Sequence, residues 1–129
     1  MNVTNRDAAA PFVTKDTSII REIMAPQNSD VVRQSLAEAT LKAGASTQAH
    51  FHPGTEEIYY ILTGEGMMAV EGEKRVVRPG DAIGILAGQH HQIRNTGEID
   101  LVFLCCCVPA YTDADTQMCE PLLEGVVQA

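Results

Sequence analysis

Glycine and proline interrupt this chain at short intervals, and that punctuation constrains its fold more than any other feature. Pro26, Gly44, Pro53-Gly54, Gly64, Gly66, Gly72, Pro79-Gly80, Gly84, Gly88, Gly97 and Pro109 leave only short runs between them, rich in Val, Ile, Leu and Tyr. No helical period persists beyond two turns. Short β-prone runs separated by turn residues predict an all-β sandwich or barrel. Strands are expected over residues 18–24, 31–41, 48–51, 58–62, 67–71, 74–77, 82–85, 91–95 and 99–108. Glu71-Gly72-Glu73 reads as a hairpin turn in which the central glycine supplies positive φ.

Length and charge narrow the class. The 129 residues correspond to one domain, a size that buries about two-thirds of its unfolded surface. Nine basic against seventeen acidic residues leave a net charge of −8, which repels phosphate backbones and anionic lipid, so neither nucleic acid nor a membrane surface is expected as partner. No apolar run approaches the ~20 residues of a membrane span, and the first thirty residues lack the pattern of a secretory leader. Of the four cysteines, Cys105, Cys106 and Cys107 are consecutive and Cys119 stands apart. Three in a row do not make a disulfide framework, and free thiols fit a reducing, cytoplasmic setting. Gly-x-Gly-x-x-Gly, P-loop, Gly-x-Ser-x-Gly and Cys-x-x-Cys motifs are all missing, so nucleotide cofactors find no support. With no Trp, three Tyr and three Phe, an aromatic stacking platform for bases or sugars is not expected either.

Three histidines and one acid carry the chemistry. His50 and His52, two apart on an expected strand, point to one face. Glu57 follows after the turn Pro53-Gly54-Thr55, on the return strand through Tyr59 and Ile61, and His91 opens a distant strand. Three neutral imidazoles and a carboxylate converging inside a barrel suit a divalent first-row metal. On an octahedral ion, four such ligands leave two neighbouring positions for water, substrate or oxygen.

These residues sit in a pattern that resembles the cupin superfamily. Gly44, five residues, His50-Phe51-His52, four residues, Glu57, six residues and Gly64 look like the first cupin motif. Gly80, five residues, Leu86-Ala87-Gly88, two residues, His91, three residues and Asn95 look like the second, with fifteen residues between the motifs. Leu86 stands where the second motif has proline, and Ala43 precedes Gly44 where many relatives have proline; losing a turn proline costs mainly rigidity. The resemblance covers residues 31–108 well and the two ends hardly at all. It implies a small single-domain cupin, a double-stranded β-helix or jelly-roll barrel of two antiparallel sheets. It also implies one divalent transition metal (Fe, Mn, Ni, Zn or Cu) held by His50, His52, Glu57 and His91.

Residues 1–17 are expected to form a loose or partner-docked N-terminal arm, 18–110 the barrel, and 111–129 a C-terminal tail. Tyr111–Thr116 looks like a capped turn, with Thr112 and Asp115 at capping-box spacing, and Leu122–Val127 either packs over a barrel mouth or frays. His90, beside His91, should point away from the metal, and Glu56 away from Glu57. Tyr59 shares the face of Glu57; its phenol either orients a substrate or donates a proton, or fills the barrel. Cys105 and Cys107 should face one way and Cys106 the other, as a reactive thiol or, more simply, as small hydrophobes. One of Met67 and Met68 must face inward, and Gln34, Gln48 and Gln92 are possible polar pocket residues. The expected function is a metal-dependent enzyme, dioxygenase or lyase/isomerase, acting on a small metal-chelating organic substrate. Its acid–base equipment is limited to Tyr59, which tips the balance away from general base chemistry. The alternative is a metal-containing protein that binds a small ligand without turnover. Exposed sheet edges suggest a homodimer, with the strand near residues 18–24 adding to a partner's sheet.

Overall fold

A computed structural model describes residues 1–125. Eleven strands follow in chain order: β1 (Phe12–Val13), β2 (Ile19–Met24), β3 (Ser35–Leu41), β4 (His50–Phe51), β5 (Glu56–Thr63), β6 (Gly66–Val70), β7 (Glu73–Val77), β8 (Ala82–Ile85), β9 (His91–Asn95), β10 (Leu101–Val108) and β11 (Gln117–Met118). The only helical pieces among the described residues are two single 3-10 turns, Arg6–Ala8 and Asp113–Asp115. No helix is long and apolar enough to cross a membrane. All nine expected strands are present, several shorter than expected, and β1 and β11 were not foreseen. These two-residue strands are too short to show an alternation.

The strands form two antiparallel sheets, one in the order β1-β2-β3-β10-β5-β8 and the other β11-β4-β9-β6-β7. Strand pairing does not run from one sheet into the other, so the expected barrel is a jelly-roll sandwich with open edges rather than a closed cylinder. Its core draws on both inner faces: Ile20, Ala39, Leu41, Tyr59, Ile61, Phe103 and Cys105 from one sheet, Met68, Val77 and Ile93 from the other. Strand β5 alternates as its sequence predicts, with Glu57, Tyr59 and Ile61 buried and Glu56, Ile58 and Tyr60 exposed. Strand β10 buries Cys105 and Cys107 and leaves Cys106 half-buried. Met68 is the inward methionine.

Two expectations need correcting. Positive φ in the β6–β7 turn falls on Glu71 (52°), not on Gly72. The Glu71 carboxylate accepts the His90 backbone N–H at 2.7 Å, and the Glu71 N–H donates to the His90 carbonyl at 2.8 Å. The arm of residues 1–17 lies on the chain's own sheet. Phe12 and Val13 pair with Ile20 and Ile19, and the Arg6 guanidinium forks onto the buried Glu38 carboxylate, with its Nε 3.0 Å from both oxygens. The outer edge of β2 at Ile19 and Ile20 is therefore already taken by β1.

Asn95 shows why the second motif ends on that residue. Its side chain is buried, donates to the carbonyls of Leu41 (2.9 Å) and Ile99 (2.8 Å), and accepts the Gly97 N–H at 2.9 Å, stitching the β9–β10 turn to β3. Gly64 is a different case, demanded by φ of +84° and by backbone contact. A Cβ there would meet the Asp100 carbonyl at 2.6 Å and the Leu101 Cα at 2.8 Å. Gly64→Ala is expected to cost about 3 kcal/mol or more, left-handed strain plus overpacking. Gly84→Ala, with nothing within 4 Å of its Cβ, should stay within about 0.5 kcal/mol of wild type. Urea unfolding midpoints of the two variants test the contrast.

Candidate metal centre

Sheet pairing brings the histidines together. His50 on β4 lies directly opposite His91 on β9, and His52 follows two residues after His50 on the same face. All three are buried. Each imidazole has its Nδ1 against a backbone carbonyl: His50 on Gln48 at 2.7 Å, His91 on Gln89 at 3.0 Å, His52 on Asp115 at 3.1 Å. A carbonyl oxygen only accepts, so each Nδ1 carries the hydrogen and each Nε2 is left with a bare lone pair. The three rings offer ligand atoms within 4.8 Å of one another.

Glu57 on β5, from the opposite sheet, brings its Oε1 to 3.4 Å from both His52 Nε2 and His91 Nε2. That oxygen and His91 Nε2 are buried without a hydrogen-bond partner among protein atoms. Such orphaned groups are rare and costly in an interior. Donor atoms sharing one ion at about 2.1 Å stand about 3.0 to 3.4 Å apart when adjacent. The lone pairs present and their spacing fit a divalent metal.

Protonation states agree. Burial and the neighbouring His91 press the His50 imidazole down to about 4, against the pull of Asp16. Burial also works to lower His52, but the negative charge of Glu57 beside it and the Asp115 carbonyl at its Nδ1 outweigh that, and its pKa is raised. Burial works to raise Glu57, and the His52 and His91 rings beside it reverse that, holding it well below the usual carboxylate range. An ionised carboxylate facing two imidazole nitrogens in an interior is the situation that a bound cation resolves.

His50, His52 and Glu57 line a small cavity of about 50 Å³, room for about four water molecules, with His91 fully buried behind them. Tyr59 forms part of its wall, buried, edge-on to His91 at 5.9 Å and tilted against Phe103 at 4.7 Å between ring centroids. Burial and the charge of Glu57 push its phenol well above 10, so it stands as a protonated hydroxyl. Cys105 and Cys107 also line the cavity. Burial and Glu57 push both thiols up, which argues against a thiolate nucleophile. Cys107 instead donates its S–H to Glu57 Oε2 at 3.2 Å and so holds the carboxylate. His90 packs against Phe51 (4.4 Å between ring centroids), away from the cavity, and Glu56 is exposed. Of the three glutamines none lines the cavity. Gln34 is exposed, and Gln92 donates to the Thr47 carbonyl and accepts the backbone N–H groups of Leu122 and Leu123. Leu123 is buried by that contact, whereas Val126 and Val127 of the expected tail lie outside the described residues.

Sequence reasoning missed two acids, both in the segments the motifs do not reach. Thr112 caps the expected turn by accepting the Asp115 N–H at 3.2 Å. The Asp115 carboxylate then grips Gly54 N (3.1 Å) and Thr55 Oγ1 (2.7 Å) while its carbonyl meets His52 Nδ1. Asp16, from the arm, lies with its Oδ2 at 3.6 Å from His50 Nε2. Its neighbour Thr17 has φ of +76°, costing about 1–3 kcal/mol for a β-branched residue. The one available signal was Thr14-Lys15-Asp16-Thr17-Ser18, a cluster of residues that bond locally to backbone.

Comparison with known proteins agrees with this geometry. The cupin-domain family matches residues 37–107, more than half of the chain, and the chain belongs to that family. An uncharacterized protein of Methanocaldococcus jannaschii is 45% identical over 117 residues, covering 91% of this chain and 94% of that one. An oxalate-binding protein of Thermotoga maritima is 40% identical over 72 residues, 56% of this chain and 60% of that protein. Among solved structures, a predicted oxalate decarboxylase from Thermotoga maritima superposes with a TM-score of 0.74 at 27% identity, covering 84% of this chain and 99% of its own. KdgF from Halomonas, at 18% identity, shares the fold with a TM-score of 0.75, covering 88% and 97%.

Because Cys107 supports Glu57 through one hydrogen bond, Cys107→Ala should weaken Mn(II) or Co(II) affinity 10–100-fold, the usual effect of losing an outer partner. Cys107→Ser, which keeps a donor, should stay within a few-fold. Calorimetric metal titration reads the difference, with the far-UV spectrum unchanged in both.

Proposed function

We propose that the protein binds one divalent transition metal through His50, His52, Glu57 and His91, and acts on a small organic molecule that chelates it. The observation that carries this reading is the convergence of three imidazole nitrogens and one orphaned carboxylate oxygen beside a cavity that His50, His52 and Glu57 line. When bound, the ion would act as a Lewis acid on a carbonyl or carboxylate oxygen. The protein's own part is to hold the four donors, exclude bulk water and present acid–base groups beside them. Asp16 supplies the second carboxylate whose absence from the sequence reading argued against proton-transfer chemistry, so lyase or isomerase chemistry is favoured here over oxygenation. Tyr59, a protonated phenol on the same wall, serves as hydrogen-bond donor to the substrate. Binding without turnover is the second reading, favoured by the name of the oxalate-binding relative.

Elemental analysis of protein purified anaerobically without an affinity metal column should find near-stoichiometric metal, lost in His50→Ala and His91→Ala. Absence of metal in wild type would overturn the proposal. Metal at a thousandfold excess over its Kd should stabilise the fold by about 4 kcal/mol, roughly 15 °C in melting temperature for a domain of this size. Chelation should reverse that gain. Product formation from α-hydroxy or keto acids separates catalysis from binding alone.

A homodimer is proposed as well, on the outer face of the larger sheet. Ile58 (48% exposed), Tyr60 (43%) and Leu62 (38%) stand there, beside Leu104 and Cys106 of the adjoining strand. Copies carrying a charge of −8 repel one another except across an uncharged patch of this kind. Tyr60→Glu should convert a dimer to a monomer in light scattering; a wild-type monomer would end the idea.

A further inference from the structure

Resting on the metal reading above, we infer that the ligand of this site is neutral or singly charged and offers an O–H or N–H to Asp16, rather than being a dianion. Asp16 is placed for this by more than proximity. Its Oδ1 is fully engaged, accepting from Thr14 Oγ1 at 2.7 Å, Ser18 N at 2.9 Å and Ser18 Oγ at 2.6 Å, which leaves Oδ2 as the oxygen turned toward His50 Nε2 at 3.6 Å. Its own carbonyl accepts the Gln48 N–H at 2.8 Å, and the Gln48 carbonyl in turn holds His50 Nδ1. The acid is thus built into the same backbone that aims one of the imidazoles. An acceptor fixed on the face where His50 presents its lone pair selects for a ligand that brings a donor to it.

The charge of the cavity points the same way. Asp16, Glu22 and Glu57 line it, and among the described residues no lysine or arginine does. Lys15, adjacent in sequence, turns its ammonium to the carbonyls of Thr116 (2.7 Å) and Asp113 (3.4 Å). A divalent ion is balanced by Glu57 and Asp16 alone. A dicarboxylate would add two further negative charges to a small, mostly apolar space with no cation to receive them. A hydroxy acid anion or an amide-bearing chelate adds one or none and satisfies Asp16.

Oxalate and oxamate test this, being close in shape and differing by one charge and an N–H donor. Co(II) is titrated first into wild type, Asp16→Asn and Glu22→Gln, then each ligand into the loaded proteins, followed in the visible spectrum. The expected result is Co(II) affinity within about tenfold across the three, and a Kd ratio of oxalate to oxamate that falls at least tenfold in Asp16→Asn. Glu22→Gln makes the same change of charge on the cavity wall and should move the ratio less than threefold. An unchanged ratio in Asp16→Asn, or an equal shift in Glu22→Gln, would overturn the inference with the metal reading intact. Loss of Co(II) binding in Asp16→Asn alone would overturn it too, making Asp16 a metal ligand. No saturable Co(II) binding in wild type would remove the metal reading and this inference together. Asn retains the Oδ1 acceptor that Thr14 and Ser18 need, and unchanged melting of the metal-free variant checks that the arm still docks.

Discussion

The site depends on three hydrogen bonds from imidazole Nδ1 to backbone carbonyls. Those of His50 and His91 go to the carbonyl two residues earlier, Gln48 and Gln89, and that of His52 goes to Asp115. Each bond fixes a tautomer and a ring orientation at once, so that the Nε2 lone pairs are aimed before any ion arrives. Without the carbonyls, the rings could rotate or shift their hydrogen, and the convergence on Glu57 would be lost. The orphaned Glu57 Oε1 and His91 Nε2 are the energetic counterpart of that preorganisation. An interior that leaves such groups unpaired is less stable than it need be, and the deficit is what a bound cation would repair.

The jelly roll makes this possible because it brings a carboxylate from one sheet to histidines from the other. Glu57 reaches across from β5, while β4 and β9 present His50 and His91 as a directly opposed pair. Antiparallel register ties His50 to His91 more rigidly than their separation of forty-one positions suggests (91 − 50 = 41). The termini then close the arrangement. Asp115 clamps the turn after His52, Gln92 holds Leu122 and Leu123, and the arm sets Asp16 beside His50. Segments outside the residues that match the family therefore complete the surroundings of the site.

An oxalate-binding protein and a predicted oxalate decarboxylase are among the proteins this chain resembles, and the lining of this cavity bears on whether such a dianion would suit it. With Glu57 and Asp16 beside the three histidines and no lysine or arginine on the wall among the described residues, a divalent ion would be balanced before a ligand enters. The fold and four donors define a family; the charge and hydrogen-bonding character of the remaining wall define which small molecule fits. Tyr59 belongs to that wall, kept protonated by burial and by the neighbouring acid.

Most of the fold was legible in the sequence because strand alternation is a local property: the phase of Glu57-Ile58-Tyr59-Tyr60-Ile61 or of Cys105-Cys106-Cys107 follows from the pleat alone. The convergence of His50, His52, Glu57 and His91 was legible because motif spacing encodes strand and turn lengths. What sequence could not convey was anything set by docking between distant segments. The short pairings of β1 and β11, the positive φ at Glu71, the hydrogen bond of Cys107 to Glu57 and the placing of Asp16 and Asp115 all arise there. A carboxylate in a polar stretch such as Thr14–Ser18 looks the same whether it faces solvent or an imidazole. Only the tertiary structure decided which, because contacts between residues far apart in the chain leave no periodic trace in the residues themselves.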